Sequence, residues 1–209
     1  MGGVLLKELA TEVTETGETR GGLTVESQGR KIVIRFVRPE ARNPLSVAIL
    51  ERLEEIIESL GADADRVVFT GEGNVFASGA NLREIAAVAD SDVREFAERG
   101  QRLMNKVAGL TATTIAAING YCFGGALDLA LACDVRIASP NATFAHPGAG
   151  LGIITGWGGT HRLPRLVGTA FALEMLFTSE PIDAKRALEI GLIDRIVEDV
   201  VSASLTAEF

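Results

Sequence analysis

The regular alternation of short strand-like segments with longer helix-like segments constrains the fold more than any other feature of the sequence. Residues 31–37 alternate in polarity and are rich in β-branched side chains, which predicts a strand that ends at Arg38 and Pro39. Apolar residues then recur every three to four positions from Ser46, a plausible N-cap, to Leu60, which predicts a helix with one buried stripe. Strands and helices that alternate in this way are typical of the α/β class.

The same alternation continues to residue 177, and no linker-like stretch interrupts it. Residues 66–70, 115–118 and 135–138 are predicted to form strands, and residues 92–107, 125–133 and 169–177 are predicted to form helices. A chain of 209 residues is long enough for one domain with a substantial core. We therefore expect a single domain over residues 24–209, preceded by an N-terminal extension over residues 1–23.

Composition and charge exclude several classes of protein. Apolar residues make up 47% of the chain and the net charge is -8, which indicates a globular protein without attraction for nucleic acid or anionic lipid. No apolar run reaches the roughly 20 residues needed to cross a bilayer, and the N-terminus lacks the pattern of a signal peptide. Cys122 and Cys133 have no CxxC motif and are expected to be reduced core thiols. The sequence predicts a cytoplasmic protein with neither nucleic acid nor a membrane as partner.

Two segments of small residues follow predicted strands. Residues 119–128 join a strand to the start of a helix, where exposed N–H groups can bind an anion or a developing oxyanion. Phosphate is one alternative ligand, but the segment matches neither GxGxxG nor the Walker pattern. A turn that serves only close packing is another interpretation. A second segment of small residues spans residues 76–82. Together, the two segments have the properties of an oxyanion hole for a thioester enolate, because no side chains obstruct the N–H donors.

A series of short motifs runs along the chain in a fixed order. They are Phe76-Ala77-Ser78-Gly79-Ala80-Asn81, Ile118-Asn119-Gly120-Tyr121 with Gly124-Gly125, Cys133-Asp134, Phe144-Ala145-His146-Pro147, Gly158-Gly159-Thr160-His161-Arg162-Leu163, and Ala184 with Gly191-Leu192-Ile193-Asp194. Together they resemble the enoyl-CoA hydratase/isomerase (crotonase) superfamily over roughly residues 24–198.

The resemblance implies a spiral of ββα units that binds an acyl-CoA thioester, with no metal and no cofactor apart from the CoA of the substrate. The N–H groups of Ser78 and Gly125 would polarise the thioester carbonyl. Contacts with substrate or CoA are implied for Ser78, Gly79, Ala80, Asn81, Leu82, Gly125 and Ala41. Because such proteins commonly assemble as trimers or pairs of trimers, a homotrimer or a dimer of trimers is expected. The chain ends at Phe209, so the C-terminal helical region is expected to be short or absent, with a more open acyl pocket.

The acid/base positions depart from those of the superfamily's hydratases, which use two glutamates. Asp128 occupies the first position and Gly148 the second, and no Asp or Glu occurs in residues 135–173. An Asp side chain is shorter than Glu by about 1.5 Å, and a misplacement of that size can cost on the order of 100-fold in rate. His146 is either an alternative general base or a hydrogen-bonded structural residue. Trp157 either shapes the acyl pocket or only packs.

Two functions of different class therefore remain. The protein is either an enzyme of fatty-acyl-CoA metabolism, a hydratase (lyase) or isomerase with Asp128 as acid/base, or an acyl-CoA-binding protein that has lost turnover. Decarboxylation and thioester cleavage use the same kind of enolate site. RNA binding, known for some members of the superfamily, is disfavoured by the pI of 4.9 and by the lack of a basic helix.

Overall fold

The described part of the chain begins just before the first strand. The computed structural model describes residues 21–60 and 64–207, and residues 1–20 of the expected N-terminal extension lie outside them. The strands are β1 (Leu23–Gln28), β2 (Lys31–Phe36), β3 (Pro44–Leu45), β4 (Arg66–Gly71), β5 (Val75–Ala77), β6 (Gly79–Ala80), β7 (Thr113–Ile118), β8 (Tyr121–Phe123), β9 (Val135–Ala138), β10 (Thr143–Ala145), β11 (Ile182–Asp183) and β12 (Arg195–Ile196). The helices are α1 (Val47–Ser59), α2 (Leu82–Ala87), α3 (Val93–Ala108), α4 (Gly125–Ala132), α5 (Gly159–Val167), α6 (Thr169–Thr178), α7 (Ala184–Glu189) and α8 (Val200–Thr206).

Most neighbouring strands in the two larger sheets are parallel. The six-stranded sheet has the order β1-β2-β4-β7-β9-β12, and within the described residues only its β1–β2 pair is antiparallel. The four-stranded sheet has the order β11-β10-β8-β5, with β10 and β11 antiparallel. A separate parallel pair joins β3 to β6. Parallel neighbours require crossover connections, and helices provide them here, which confirms the predicted α/β class.

The six-stranded sheet is buried on both faces. Val33 and Val68 lie on one face in a cluster with the apolar side of α8. Ile34 lies on the opposite face, in the main core between the sheets and the larger helices. Because side chains alternate along a strand, burial of both faces explains the nearly continuous apolar runs of the central strands. Cys122 and Cys133 are free thiols in the main core, as predicted.

The predicted helices begin and end close to the observed ones. The Oγ atom of Ser46 accepts a hydrogen bond from the N–H of Ile49 at 3.3 Å, so Ser46 is the N-cap of α1. The helices predicted over residues 92–107, 125–133 and 169–177 correspond to α3, α4 and α6, each within one residue at either end. Beyond β12 the structure describes one short helix, α8. No helix of the described residues is long and apolar enough to cross a bilayer.

Periodicity did not indicate several short elements that carry the site. Strands β5, β8 and β10 have three residues each, which is too few to show an alternating pattern. Helix α5 begins at Gly159 and contains Pro164, two residues that disfavour helix in a sequence-based prediction. The helix forms nevertheless because Leu163 and Val167 are buried on one of its sides.

Candidate active site

The two small-residue loops meet at the N-terminus of α4. Gly79 in β6 has a φ of +86°, a backbone conformation that favours glycine. A Cβ atom on Gly79 would lie 2.7 Å from the amide nitrogen of Gly125 and 2.6 Å from the carbonyl oxygen of Phe123. Because no side chain fits between these segments, the two predicted loops are direct backbone neighbours.

The two N–H groups predicted to polarise a carbonyl differ in how they are engaged. Gly125 is the first residue of α4, so its N–H has no acceptor within the helix. The N–H of Ser78 donates to the carbonyl oxygen of Asn43 over 3.4 Å, which is a long hydrogen bond. Asn43 is itself fixed, because its side-chain amide donates to the carbonyl oxygens of Val75 and Phe76 at 3.0 and 3.1 Å. One donor of the pair is therefore only weakly engaged, and the other lacks an intrahelical partner.

An apolar pocket of about 250 Å³ lies at the N-terminus of α4. It is larger than a cavity of about 150 Å³ that holds benzene, so a short acyl group fits. The predicted site residues that line it are Ser78, Ala80, Leu82, Gly125, Asp128, His146, Gly148 and Trp157. Ala41 lies instead in an exposed turn, and Asn81 caps α2 by accepting a hydrogen bond from the N–H of Arg83 at 3.0 Å. Ala41, Asn81 and Gly79 do not line the pocket. The contacts of these three residues with CoA stay predictions.

Asp128 is a buried carboxyl group in the first turn of α4, with 1% of its surface exposed. The hydroxyl of Thr155 donates a hydrogen bond to its Oδ2 atom, whereas Oδ1 has no hydrogen-bond partner among the described residues. Burial raises the pKa of Asp128 to about 7. Thr155, the positive charge of Arg162 and the backbone N–H groups of Trp157 and Gly159 favour the ionised form and oppose this rise in pKa. The carboxyl group is thus divided between its two protonation states near neutral pH.

His146 faces Asp128 across the pocket. Strand β10 pairs in parallel with β8, so the residue that follows β10 lies beside the turn that leads into α4. The Nε2 atom of His146 is 3.5 Å from Oδ1 of Asp128 and has no hydrogen-bond partner among the described residues. Burial lowers the pKa of His146 to about 4, so its imidazole is neutral at pH 7. Two buried groups therefore face each other, each with an unsatisfied polar atom.

Gly148 lies in a turn that has no room for a side chain. Its carbonyl oxygen accepts hydrogen bonds from the N–H groups of Leu151 and Ile153 at 2.9 and 3.0 Å. A Cβ atom on Gly148 would lie 2.6 Å from the carbonyl oxygen of Ile153. No side chain fits at position 148 unless the backbone moves.

Trp157 forms one wall of the pocket, and 3% of its surface is exposed. Its indole fills the space next to two glycines on neighbouring helices. A Cβ atom on Gly100 of α3 would lie 2.1 Å from Cδ1 of the indole, and one on Gly125 would lie 2.3 Å from Cζ3. The ring of Phe96 lies 6.1 Å from the indole, centroid to centroid. Trp157 thus both packs and shapes the pocket, so its two interpretations are not exclusive.

Sequence reasoning missed two residues that hold the acid group. Thr155 lies 27 residues from Asp128 along the chain, and no local pattern indicated their hydrogen bond. Gly159 gives the carboxylate its space, because a Cβ atom there would lie 2.2 Å from Oδ1 of Asp128 and 3.0 Å from Cε1 of His146. The Gly158-Gly159 motif indicates in the sequence that a glycine is needed here. That Gly159 lies against Asp128 follows only from the fold.

The fold and the pocket together define an α/β protein with an acid group buried beside the N-terminus of a helix. The family described as Enoyl-CoA hydratase/isomerase matches residues 26–207. The chain belongs to this family, the crotonase superfamily, as its motifs predicted.

Relatives and solved structures agree with this assignment. The short-chain-enoyl-CoA hydratase of Clostridium acetobutylicum is 38% identical over 177 residues, which cover 83% of this chain and 68% of that protein. The crotonyl-CoA hydratase of Syntrophomonas wolfei is 35% identical over 179 residues, which cover 84% of this chain and 69% of that protein. The structure of Pseudomonas aeruginosa DspI is similar with a TM-score of 0.84 and 36% identity, over 92% of this chain and 80% of that one. The chain spans about two thirds of the length of the two curated relatives.

Proposed function

We propose that the protein binds an enoyl-CoA thioester, stabilises the enolate of its acyl group and moves a proton at C2 with Asp128. The observation that carries this proposal is the buried Asp128 carboxyl, which lines the same apolar pocket as Ser78 and Gly125. In this proposal the N–H groups of Ser78 and Gly125 form an oxyanion hole. Each such donor typically contributes about 100- to 1,000-fold to the rate of the reaction it assists.

The environment of the loops supports the oxyanion hole. The N-terminus of a helix has a partial positive charge, and α4 begins at Gly125, so a negative oxygen is favoured there. The long hydrogen bond from Ser78 to Asn43 is released or shared when the thioester oxygen binds. No metal or further cofactor is needed, because the N–H groups polarise the carbonyl.

The pKa of Asp128 supports its role as acid and base. A general acid or base works best when its pKa is near the operating pH, and burial raises the pKa of Asp128 to about 7. Proton transfer at C2 of the acyl group is common to hydration of a double bond and to its migration. The names of the relatives, a short-chain-enoyl-CoA hydratase and a crotonyl-CoA hydratase, favour a short enoyl-CoA as the substrate.

Three further expectations belong to the same proposal and rest on the superfamily resemblance or on composition. The protein is placed in fatty-acyl-CoA metabolism, as a homotrimer or a dimer of trimers. Its acidic composition disfavours a nucleic acid or a membrane as partner, and its free cysteines favour the cytoplasm. Size-exclusion chromatography with light scattering measures the assembly directly.

A second candidate function is acyl-CoA binding without turnover. The turn at Gly148 favours it, because the second carboxylate of the superfamily's hydratases has no room there. Asp128 is also the one carboxyl group among the described residues that line the pocket. The pocket itself would serve binding equally well, so only a catalytic measurement separates the two functions.

The experiment measures exchange of the C2 protons of butyryl-CoA in D2O by mass spectrometry, together with CoA binding by calorimetry. We expect wild-type protein to bind and to exchange, whereas Asp128→Asn binds with a similar Kd and does not exchange. Glu198→Gln, which changes an exposed carboxylate, is the matched control and should behave as wild type. Binding of butyryl-CoA without exchange by wild type would establish the binding function, and failure to bind would refute both candidates.

A further inference from the structure

The unsatisfied atoms of His146 and Asp128 define a small polar site inside the apolar pocket. Three buried side-chain atoms lack a hydrogen-bond partner among the described residues, and two of them are Nε2 of His146 and Oδ1 of Asp128, 3.5 Å apart. Buried polar groups are normally hydrogen-bonded, so this pair points to a ligand atom that is absent from the protein itself. Because a hydroxyl or a water molecule both donates and accepts hydrogen bonds, either one satisfies a carboxyl and an imidazole at once.

Resting on the proposed function, we infer that His146 and Asp128 together hold the water that adds to a 2-enoyl-CoA, with His146 as the second acid/base group. This inference makes hydration the net reaction, and the 3-hydroxyl of the product occupies the position of the water. His146 takes the role that the superfamily's hydratases give to the carboxylate absent at Gly148. Like Gly148, His146 lines the pocket, but unlike Gly148 it has a side chain with an unpartnered polar atom there.

The chemical step balances with these two groups alone. In this step the neutral imidazole carries its proton on Nδ1, which leaves the lone pair of Nε2 to accept a hydrogen bond from the water. The water oxygen bonds to C3, its proton moves to Nε2, and the π electrons of the C2–C3 bond take the proton of the Asp128 carboxyl onto C2. The products are a 3-hydroxyacyl-CoA, an imidazolium and a carboxylate. The proton then passes from Nε2 to Oδ1, across 3.5 Å or through the next water, and restores the starting state.

The electrostatics of the pair favour this exchange of protons. Burial lowers the pKa of His146. As Asp128 gives up its proton, the new carboxylate raises the pKa of the imidazole beside it, because opposite charges attract strongly in a site of low dielectric constant. The neutral carboxyl of Asp128 and the neutral imidazole of His146 therefore become a mutually stabilised ion pair as the reaction proceeds. Thr155 holds Oδ2, which leaves Oδ1 to face His146.

Room for the ligand comes from the pocket of about 250 Å³ that both side chains line. Gly159 lies behind the pair, and a Cβ atom there would lie 2.2 Å from Oδ1 of Asp128 and 3.0 Å from Cε1 of His146. A water molecule needs room and two to four polar partners, and the unsatisfied pair supplies two of them. The remaining pocket walls are mostly apolar, including Ile153 and Ile154.

The test compares two reactions of the same variants: hydration of crotonyl-CoA, followed by loss of its ultraviolet absorbance, and C2 proton exchange of butyryl-CoA in D2O. His146→Gln and His146→Ala should lose hydration on the order of 100-fold or more, and exchange should fall far less, because Asp128 performs it alone. His161→Gln changes the other histidine of the chain, which is exposed, and should alter neither reaction.

Each other outcome overturns the inference. If both His146 variants hydrate crotonyl-CoA as wild type does, His146 has no role in water addition. If hydration and exchange fall in parallel while CoA still binds, His146 only positions Asp128. If wild type exchanges C2 protons but does not hydrate crotonyl-CoA, the inference fails although the proposed function stands. The absence of exchange in wild type would instead contradict the proposed function. Circular dichroism and CoA binding confirm that each variant is folded.

Discussion

Replacing Asp128 by Asn should stabilise the protein more at alkaline pH than at acidic pH. Burial raises the pKa of Asp128 to about 7 from an ordinary value of 3.8. Between these two pH values the folded protein keeps a proton that the unfolded chain has lost, so a rise in pH favours unfolding. The cost is absent below pH 3.8 and complete above pH 7, where the gap between the two pKa values corresponds to about 4 kcal/mol.

The assay is urea denaturation of wild type and Asp128→Asn at pH 5 and at pH 8. The free energy of unfolding of the variant, minus that of wild type, should rise by about 2.5 kcal/mol between these pH values. The effect of the Thr155 hydroxyl on Asp128 is already contained in this pKa. If the difference in unfolding free energy between variant and wild type does not change with pH, the raised pKa of Asp128 is refuted. For the exposed control Glu198→Gln, we expect no such change with pH.

Three other predictions concern the walls of the same site. Thr155→Val should move the pH profile of C2 proton exchange to higher pH, because the hydroxyl lowers the pKa of Asp128; Thr155→Ser should leave the profile in place. Gly100→Ala should lower stability by about 1–3 kcal/mol in thermal denaturation and be nearly neutral in a Trp157→Ala background, because its Cβ would meet the indole; equal losses in both backgrounds would contradict that contact. Gly148→Glu should lower stability and leave crotonyl-CoA hydration no faster than in wild type, because its Cβ would lie 2.6 Å from a backbone carbonyl oxygen.

The parts of the fold that the sequence predicts well are those with enough residues to show a period. Helix α3 has 16 residues and one apolar side, and both of its ends are predicted within one residue. Strand β10 has only three residues, yet it places His146 beside α4 through its pairing with β8. Short strands of this kind are set by their neighbours in the sheet rather than by their own composition.

The residues of the candidate site also fall into those that the sequence indicates and those that only the tertiary structure shows. The motif resemblance indicated Ser78, Gly125 and Asp128, and all three line one pocket, although their roles stay predictions. Thr155 was not, because its contact with Asp128 depends on how the turn after Pro147 folds back onto α4. His146 remained undecided between catalysis and structure because burial and the unsatisfied Nε2 atom are properties of the tertiary structure alone.

The turn after Pro147 links the closed position at Gly148 to the environment of Asp128. The carbonyl oxygen of Gly148 accepts hydrogen bonds from Leu151 and Ile153, which brings the chain back so that Thr155 reaches Asp128. A Cβ atom on Gly148 would lie 2.6 Å from the carbonyl oxygen of Ile153 in this returning segment, so we expect a side chain there to displace the segment and to weaken the hydrogen bond from Thr155. A second carboxylate and the hydrogen bond from Thr155 are therefore alternatives in this backbone. A neighbouring carboxylate would also raise the pKa of Asp128. Because none stands at position 148, Asp128 stays partly ionised near pH 7, which suits the proton transfer at C2 that we propose.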